Sequence, residues 1–190
     1  MARPRSFDEE QVLRAAREQF WKTGYSATSL DDLMKATGLG KGSLYGAFGD
    51  KHQLFLRALD GYCVESVEGV RRGLAGSGSA ADRVRAVVRG SAENATTRGC
   101  MLVNSTAELN ERDPEVQRKS RLAYGTVEDM LAAALDEAQR EGALKDDVDT
   151  RAQARVLVAV MQGVEFLGKT GLEKVALEQI VDTALANLFG

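Results

Sequence analysis

Residues 28–55, TSLDDLMKATGLGKGSLYGAFGDKHQLF, decide the fold of this chain. They predict two short helices separated by a glycine turn, followed by the start of a third helix. Thr28 and Ser29 are residue types that cap helix N-termini, and the two aspartates after them suit the positive end of a helix dipole. Gly38 can stop the first helix in a positive φ conformation, so the second begins near Lys41. This order is that of a helix-turn-helix.

The second short helix has an unusual outer face. At 100° per residue, Leu44, Ala47 and Phe48 turn inward, whereas Gly42 and Gly46 point outward. Glycine costs a helix about 1 kcal/mol relative to alanine, so two on the solvent side indicate that another molecule comes close to the backbone there. In a helix-turn-helix, the major groove of DNA receives the second helix, with its N-terminal residues nearest the bases.

Side chains that suit phosphate groups surround this face. Lys41 stands at the N-terminus of the second helix, and Tyr45 lies on its flank. Lys51 and His52 occupy the first turn of the next helix, where the dipole disfavours positive charge, and a docked phosphate would remove that conflict. We therefore predict sequence-independent phosphate contacts from Tyr45, Lys51 and the hydroxyls of Thr28 and Ser29.

The combined pattern resembles the DNA-binding head of the tetracycline-repressor (TetR) family of transcriptional regulators. The matching pieces are TSLDDL, ATGLGKGSLY and FGDK, and the resemblance covers about the first third of the chain. It implies an all-helical homodimer with an effector pocket in its C-terminal part, which represses transcription until a ligand releases it from DNA. It also implies that Lys41, Gly42 and Ser43 lie near bases and that Thr28, Tyr45 and Lys51 lie near phosphates.

Composition fits a regulator that is not an enzyme. The net charge is −3, but residues 1–57 hold nine Lys and Arg against seven Asp and Glu, so the positive balance lies where the motif lies. A single histidine, His52, leaves no His-based catalytic or metal site, and we expect no cofactor. No apolar run approaches a membrane span and the N-terminus lacks a signal peptide, so we expect a cytoplasmic protein without a membrane partner.

The rest of the chain also shows helical patterns. We predict an all-α fold with a three-helix helix-turn-helix domain at residues 1–49 and a helical bundle for ligand binding and dimerisation at residues 50–190, with the helix after Asp50 shared as a connector. The segment GLAGSGSAAD has the composition of a flexible connection. Arg3 and Arg5 form a short basic arm ahead of the first helix, which can lie along DNA or remain a free tail.

Two C-terminal helices predict a homodimer. Residues 156–167 are apolar almost all the way round, so that helix needs cover on both sides. The last helix, from Val175 to Phe189, has a wide apolar stripe, and together the two suggest a four-helix interface. Two recognition helices related by a two-fold axis would read half-sites of a near-palindrome about one DNA turn (~34 Å) or a multiple apart.

Cys100 is the most distinctive residue outside the head. It follows Arg98 and Gly99 at the start of a helix, where the dipole and the guanidinium would lower a thiol pKa. The GCMLVN segment also resembles a TetR subgroup in which a cysteine senses electrophiles or oxidants. The alternatives are a buried structural thiol, or a thiol-based redox protein or ligand carrier in which the head serves only partner contacts.

Small-molecule sites combine pliable apolar contacts with a few polar anchors. The candidates for an effector site are Cys100, Met101, Asn104, Tyr124, Met130, Met161, Glu165 and Phe166.

Overall fold

The computed structural model describes residues 7–109 and 111–189. Within that part of the chain it contains nine α-helices and no strand, which confirms the all-α prediction. The helices are α1 (Glu9–Thr23), α2 (Leu30–Thr37), α3 (Lys41–Phe48), α4 (Lys51–Leu74), α5 (Ala80–Glu93), α6 (Met101–Leu109), α7 (Pro114–Arg140), α8 (Thr150–Lys169) and α9 (Lys174–Phe189). We call α1–α3 the head and α4–α9 the body. The predicted arm at Arg3 and Arg5 lies outside the described residues.

The helix-turn-helix forms as the sequence predicts. Ser29 caps α2 in a capping box with Asp32, in which each side chain bonds the backbone N–H of the other. Gly38 ends α2 at φ +71°, a conformation that glycine adopts without strain. Leu44 and Phe48 of α3 are buried, so the opposite face of this helix points away from the protein.

The core of the body is a bundle of α5, α7, α8 and α9. Asp113 and Pro114 begin α7, and Asp149 caps α8 through the Ala152 N–H, both as predicted. Fully buried side chains hold the bundle together, among them Leu131, Leu135, Leu157, Val164 and Val181. Within the described residues, no helix is both long and apolar enough to cross a bilayer.

The expected flexible connection at residues 73–82 is wrong. Helix α4 continues to Leu74 and α5 begins at Ala80, so only a short turn separates them. The Ala80 N–H donates to Glu141 Oε2 at 2.9 Å, and Arg83 Nη1 donates to the Leu74 carbonyl at 2.8 Å. Small residues here permit a tight, anchored turn rather than a mobile linker.

The hydrophobic core of the head extends into the body. Phe20 of α1 packs edge-on against Phe55 of α4, with 5.2 Å between ring centroids. The same buried cluster includes Met101 and Leu109 at the two ends of α6. Helix α6 is therefore part of the surface on which the head rests.

Candidate functional site

The outer face of α3 is bare, as its glycine pattern predicts. A Cβ atom placed on Gly42 or Gly46 would meet no other atom within 4 Å. Lys41 and Ser43 are exposed beside them, and Tyr45 is half-buried on the flank. A rigid partner can therefore approach the backbone of α3 closely. Lys41 puts a positive charge at the N-terminal end of that face.

The two hydroxyls predicted to bind phosphate differ in their surroundings. Ser29 is exposed at the N-terminus of α2, although its hydroxyl already donates to Asp32 Oδ2 at 2.6 Å. Thr28 is only 1% exposed, and its hydroxyl donates to the Gly24 carbonyl at 2.6 Å and lies 2.7 Å from the Thr23 hydroxyl. Its side chain serves the packing of α1 against α2, which the local sequence did not show.

The two basic side chains at the start of α4 have protein partners. His52 Nε2 lies 2.6 Å from Oδ2 of Asp113, the N-cap residue of α7, and Lys51 Nζ lies 4.6 Å from the centroid of the Tyr25 ring. Burial raises the pKa of Asp113, but the hydrogen bonds from His52 and the Val116 N–H outweigh it and leave that pKa below its usual value. At His52 the Asp113 carboxylate therefore already supplies a partner within the protein.

Three further contacts fasten the head to the start and end of α6. Trp21 Nε1 donates to the Gly99 carbonyl at 2.8 Å, just before the helix. At its far end, the Glu108 carboxylate accepts the backbone N–H groups of Tyr25 at 2.9 Å and Ser26 at 2.7 Å. Any displacement of α6 must therefore move the loop between α1 and α2 or break these bonds.

A cavity of about 430 Å³ lies in the body beside the start of α6. Five helices line it, and its polar residues include Tyr62 of α4, Tyr124 of α7, and Gln162 and Glu165 of α8. Two buried atoms in these walls, Gln162 Oε1 and Glu165 Oε2, have no hydrogen-bond partner. Buried polar groups without partners are rare and costly, so these two atoms are open acceptors for a bound molecule or a water.

Cys100 lines this cavity but is not the activated thiol that the sequence predicts. It is buried, its Sγ accepts the Tyr62 hydroxyl at 3.3 Å, and the Arg98 guanidinium instead stacks 4.0 Å above the Trp21 ring. Burial, reinforced by the nearby Glu165 carboxylate, raises the pKa of the Cys100 thiol to about 12. The predicted lowering is wrong because the sequence shows the helix start but not its low-dielectric surroundings.

The predicted effector residues separate into three groups. Four of them line the cavity, namely Cys100, Tyr124, Met161 and Glu165. Three others, Met101, Asn104 and Phe166, line a crevice between α1, α6 and α8, where the Asn104 amide already bonds the Arg98 carbonyl and Lys169 Nζ. Met130 packs against the body core and is not among the cavity-lining residues. Helical periodicity does not show which of two neighbouring spaces a side chain faces, so the sequence could not assign these residues to one space.

Sequence reasoning missed the α4 and α5 walls of the cavity. Tyr62 and Asn94 both line it, but nothing in their local pattern distinguishes them from packing residues. The sequence could have predicted Gln162 as a cavity residue. It lies three residues before Glu165, and residues three apart on a helix lie on the same face.

Comparison with known proteins agrees with this geometry. Residues 12–58 match the family profile described as bacterial regulatory proteins, tetR family, and residues 80–183 match the tetracyclin repressor-like C-terminal domain. The uncharacterized HTH-type transcriptional regulator YezE of Bacillus subtilis is 31% identical over 99% of this chain and all of its own. The HTH-type transcriptional repressor ComR of Escherichia coli is 29% identical over 96% of this chain and 90% of its own.

Solved structures with the same fold include regulators bound to DNA. A cysteine mutant of the TetR-family transcriptional regulator CifR, in complex with 26-bp double-stranded operator DNA, superposes with a TM-score of 0.85 at 28% identity, over 98% of this chain and all of its own. A TetR transcriptional regulator from Chloroflexus aurantiacus gives a TM-score of 0.83 at 27% identity, over 93% and 91% of the two chains.

Proposed function

The chain belongs to the TetR family of transcriptional regulators, and from this premise we propose that it is a ligand-released repressor. In this proposal a homodimer binds a near-palindromic operator and dissociates when a small molecule occupies the body cavity. The observation that carries it is the bare outer face of α3, a helix that exposes Gly42 and Gly46 with Lys41 at its N-terminus.

The proposed DNA contacts follow from that face. Lys41, Gly42 and Ser43 stand at the N-terminal end of α3, which in a helix-turn-helix lies nearest the base edges. In this proposal Tyr45 and Lys51 bind phosphates, and Ser29 marks the N-terminus of α2, where backbone N–H groups favour an anion. We leave Thr28 out because its side chain is buried.

A homodimer is supported by the outer faces of α8 and α9. Phe166 is 52% exposed and Val175 is 62% exposed, and Val156 and Ile180 are also large apolar side chains left open on these two helices. A helix that is apolar on its outer side as well as its inner side requires cover, and a second copy supplies it by two-fold symmetry. Such a dimer presents two copies of α3 to successive turns of DNA.

In this proposal, ligand binding in the cavity releases the protein from DNA by moving α6 and α1. The residues at the start of α6, Cys100 and Leu102, line the cavity, while Glu108 at its end holds the loop between α1 and α2. Tyr62 lines the cavity too, and its ring packs edge-on at 5.0 Å against Trp21 of the head. A ligand that binds a shifted arrangement of these residues more tightly, by several kcal/mol, would stabilise that arrangement. The spacing of the two heads would then change, and the dimer would dissociate from the operator.

The repressor assignment is supported by ComR, a relative that matches nearly the whole chain and is described as a repressor. Operator binding by a structural relative, CifR, supports the DNA partner.

Selection from random duplex DNA tests the proposal. We expect the purified full-length protein to enrich a near-palindrome, and the logarithm of its affinity to fall linearly with log salt by about 0.9 per phosphate contact. Light scattering should show a dimer that Ile180→Glu weakens, whereas Val64→Glu, on an exposed apolar residue of α4, leaves it intact. Failure to enrich any sequence, or affinity that ignores salt, would overturn the repressor proposal.

A further inference from the structure

Two buried acceptor atoms in the walls of the body cavity have no hydrogen-bond partner. Gln162 Oε1 and Glu165 Oε2 are buried without partners. We infer that the cavity takes a small organic cation, a protonated amine on an apolar or aromatic body, with Glu165 as its counter-ion. This inference rests on the proposed function, since it specifies the chemical class of the effector.

Three of the donors along the walls already have acceptors in the protein. The Asn94 side-chain amide donates to the Gly90 carbonyl at 2.7 Å, and the Ser91 hydroxyl donates to the Val88 carbonyl at 2.6 Å. The Tyr62 hydroxyl donates to Cys100 Sγ at 3.3 Å. A ligand that offers only acceptors would therefore leave Glu165 unsatisfied, whereas an ammonium group supplies two or three donors at once.

The charge of the walls selects a cation. Among the described residues that line the cavity there is no Lys, Arg or His, and Glu165 is the one acidic side chain. Burial raises the pKa values of Tyr62, Tyr124 and Cys100, so these three groups stay neutral. Burial also raises the pKa of Glu165, and a bound cation would lower it again by favouring the carboxylate. An anionic ligand would find no counter-ion here and would be repelled by the carboxylate, because buried charges need partners.

The remaining walls suit the body of such a ligand. Tyr62 of α4 and Tyr124 of α7 both line the cavity, and aromatic faces attract cations within about 6 Å. Val67, Leu102 and Met161 add apolar surface. The volume of about 430 Å³ accommodates a two-ring aromatic amine.

Three probes of one shape and different charge test the inference. They are 1-naphthylmethylamine, which is cationic near neutral pH, the neutral 1-naphthylmethanol, and the anionic 1-naphthoate. Isothermal titration into the full-length protein should rank the amine first, the alcohol about 30-fold weaker or more, and the carboxylate last. Equal affinities, a carboxylate that binds best, or no binding of the amine at millimolar concentration would overturn the inference.

Matched variants locate the counter-ion. Glu165→Gln should reduce amine affinity by about 30-fold or more and leave alcohol affinity unchanged, because only the charged pair is lost. Glu93→Gln removes an exposed carboxylate of α5 that does not line the cavity and should change neither. Loss of both ligands in Glu165→Gln with its fold intact by circular dichroism would contradict the charge assignment; if that variant does not fold, the probe ranking on the unaltered protein decides.

Operator binding distinguishes this inference from the proposed function. If the protein binds its selected operator and a neutral or anionic probe releases it, the repressor proposal stands and the cation inference fails. If the amine binds through Glu165 but no operator can be selected, the cavity assignment stands and the repressor proposal fails.

Discussion

The outer face of α3 and the cavity of the body differ in how their side chains form a binding surface. The face of α3 is built by leaving side chains out, since Gly42 and Gly46 open onto empty space. The cavity is built by placing side chains in, and it buries Glu165 Oε2 and Gln162 Oε1 without partners. One site is complete within a single helix and suits a large rigid surface, whereas the other depends on five helices and suits a small molecule that satisfies it.

The two sites also differ in how firmly they are held. Helix α3 packs on α4 through Leu44 and Phe48, which are buried, so its outer face is fixed by its inner one. Tyr62 and Cys100 line the cavity, and the Tyr62 ring packs against Trp21 of α1. A displacement of Tyr62 inside the cavity would therefore act on α1 directly. We therefore expect DNA binding to depend on the shape of the α3 surface. We expect the effect of a ligand on DNA binding to depend on charge in the cavity.

The largest effect is expected when a side chain is added to the outer face of α3. Gly46→Leu should abolish specific operator binding, with a loss of about 100-fold or more, because a side chain would hold the backbone away from the groove. The fold should be unaffected or slightly more stable, since glycine is the poorer helix former. Fluorescence anisotropy with the selected operator and thermal melting measure the two effects.

Gly61→Leu is the matched control for that variant. Gly61 lies on α4, and a Cβ there also meets nothing within 4 Å. Operator affinity should stay within about twofold of the unaltered protein, well inside the 1.4 kcal/mol of a tenfold change. If the two variants lost affinity equally, the closeness of DNA to α3 would not be the reason.

Lys41→Ala should produce the next largest effect. We expect a loss of about 1–3 kcal/mol in operator affinity, relaxed sequence preference if Lys41 reads a base, and a salt slope lower by about 1 if it binds a phosphate. Titration at several salt concentrations separates these outcomes. Lys145→Ala, at an exposed lysine between α7 and α8, should leave affinity and slope unchanged, and an equal loss there would indicate only a general charge effect.

Glu108→Ala tests the connection between the two regions. Its carboxylate holds two backbone N–H groups of the head, so we expect a stability loss of about 1–3 kcal/mol by urea unfolding and faster amide exchange at Tyr25 and Ser26. Glu111→Ala, at an exposed neighbour, should do neither. Unchanged exchange at Tyr25 and Ser26 would show that α6 does not hold the head.

The smallest effect is expected from Glu165→Gln without ligand. Burial raises the pKa of this carboxyl, so the folded state binds its proton more tightly than the unfolded chain does, and stability falls as pH rises through the folded pKa. Glutamine cannot ionise, so the variant should melt about 2 °C or more above the unaltered protein at alkaline pH and show little difference below about pH 4. A gap that grows toward low pH instead would contradict the effect of burial on this carboxyl.

The sequence was a good guide to the head because the decisive features there are local. The order of Leu44, Phe48 and the two outer glycines follows from one helical period, and the caps at Ser29 and Asp113 follow from residue type. At Thr28 the local sequence did not show that the side chain is buried, because its burial depends on how α1 packs against α2. No pattern within α2 carries that information.

The cavity was predicted only in part, for the same physical reason. Of the predicted effector residues, Tyr124, Met161 and Glu165 lie on its walls, but Met130 and Phe166, on the same two helices, face elsewhere. The thiol pKa of Cys100 depends on burial by α4 and α8, which are distant in sequence. Chemical character in a site built from five helices is set by long-range packing.

Photocrosslinking to the selected operator tests the central claim most directly. Thymines of each half-site are replaced by 5-iodouracil, and the crosslinked peptides are identified by mass spectrometry. The account predicts crosslinks within residues 41–48, chiefly at Tyr45, from two DNA positions about one helical turn (~34 Å) or a multiple apart. Crosslinks that fall in the body, or that arise from a single DNA position, would contradict it.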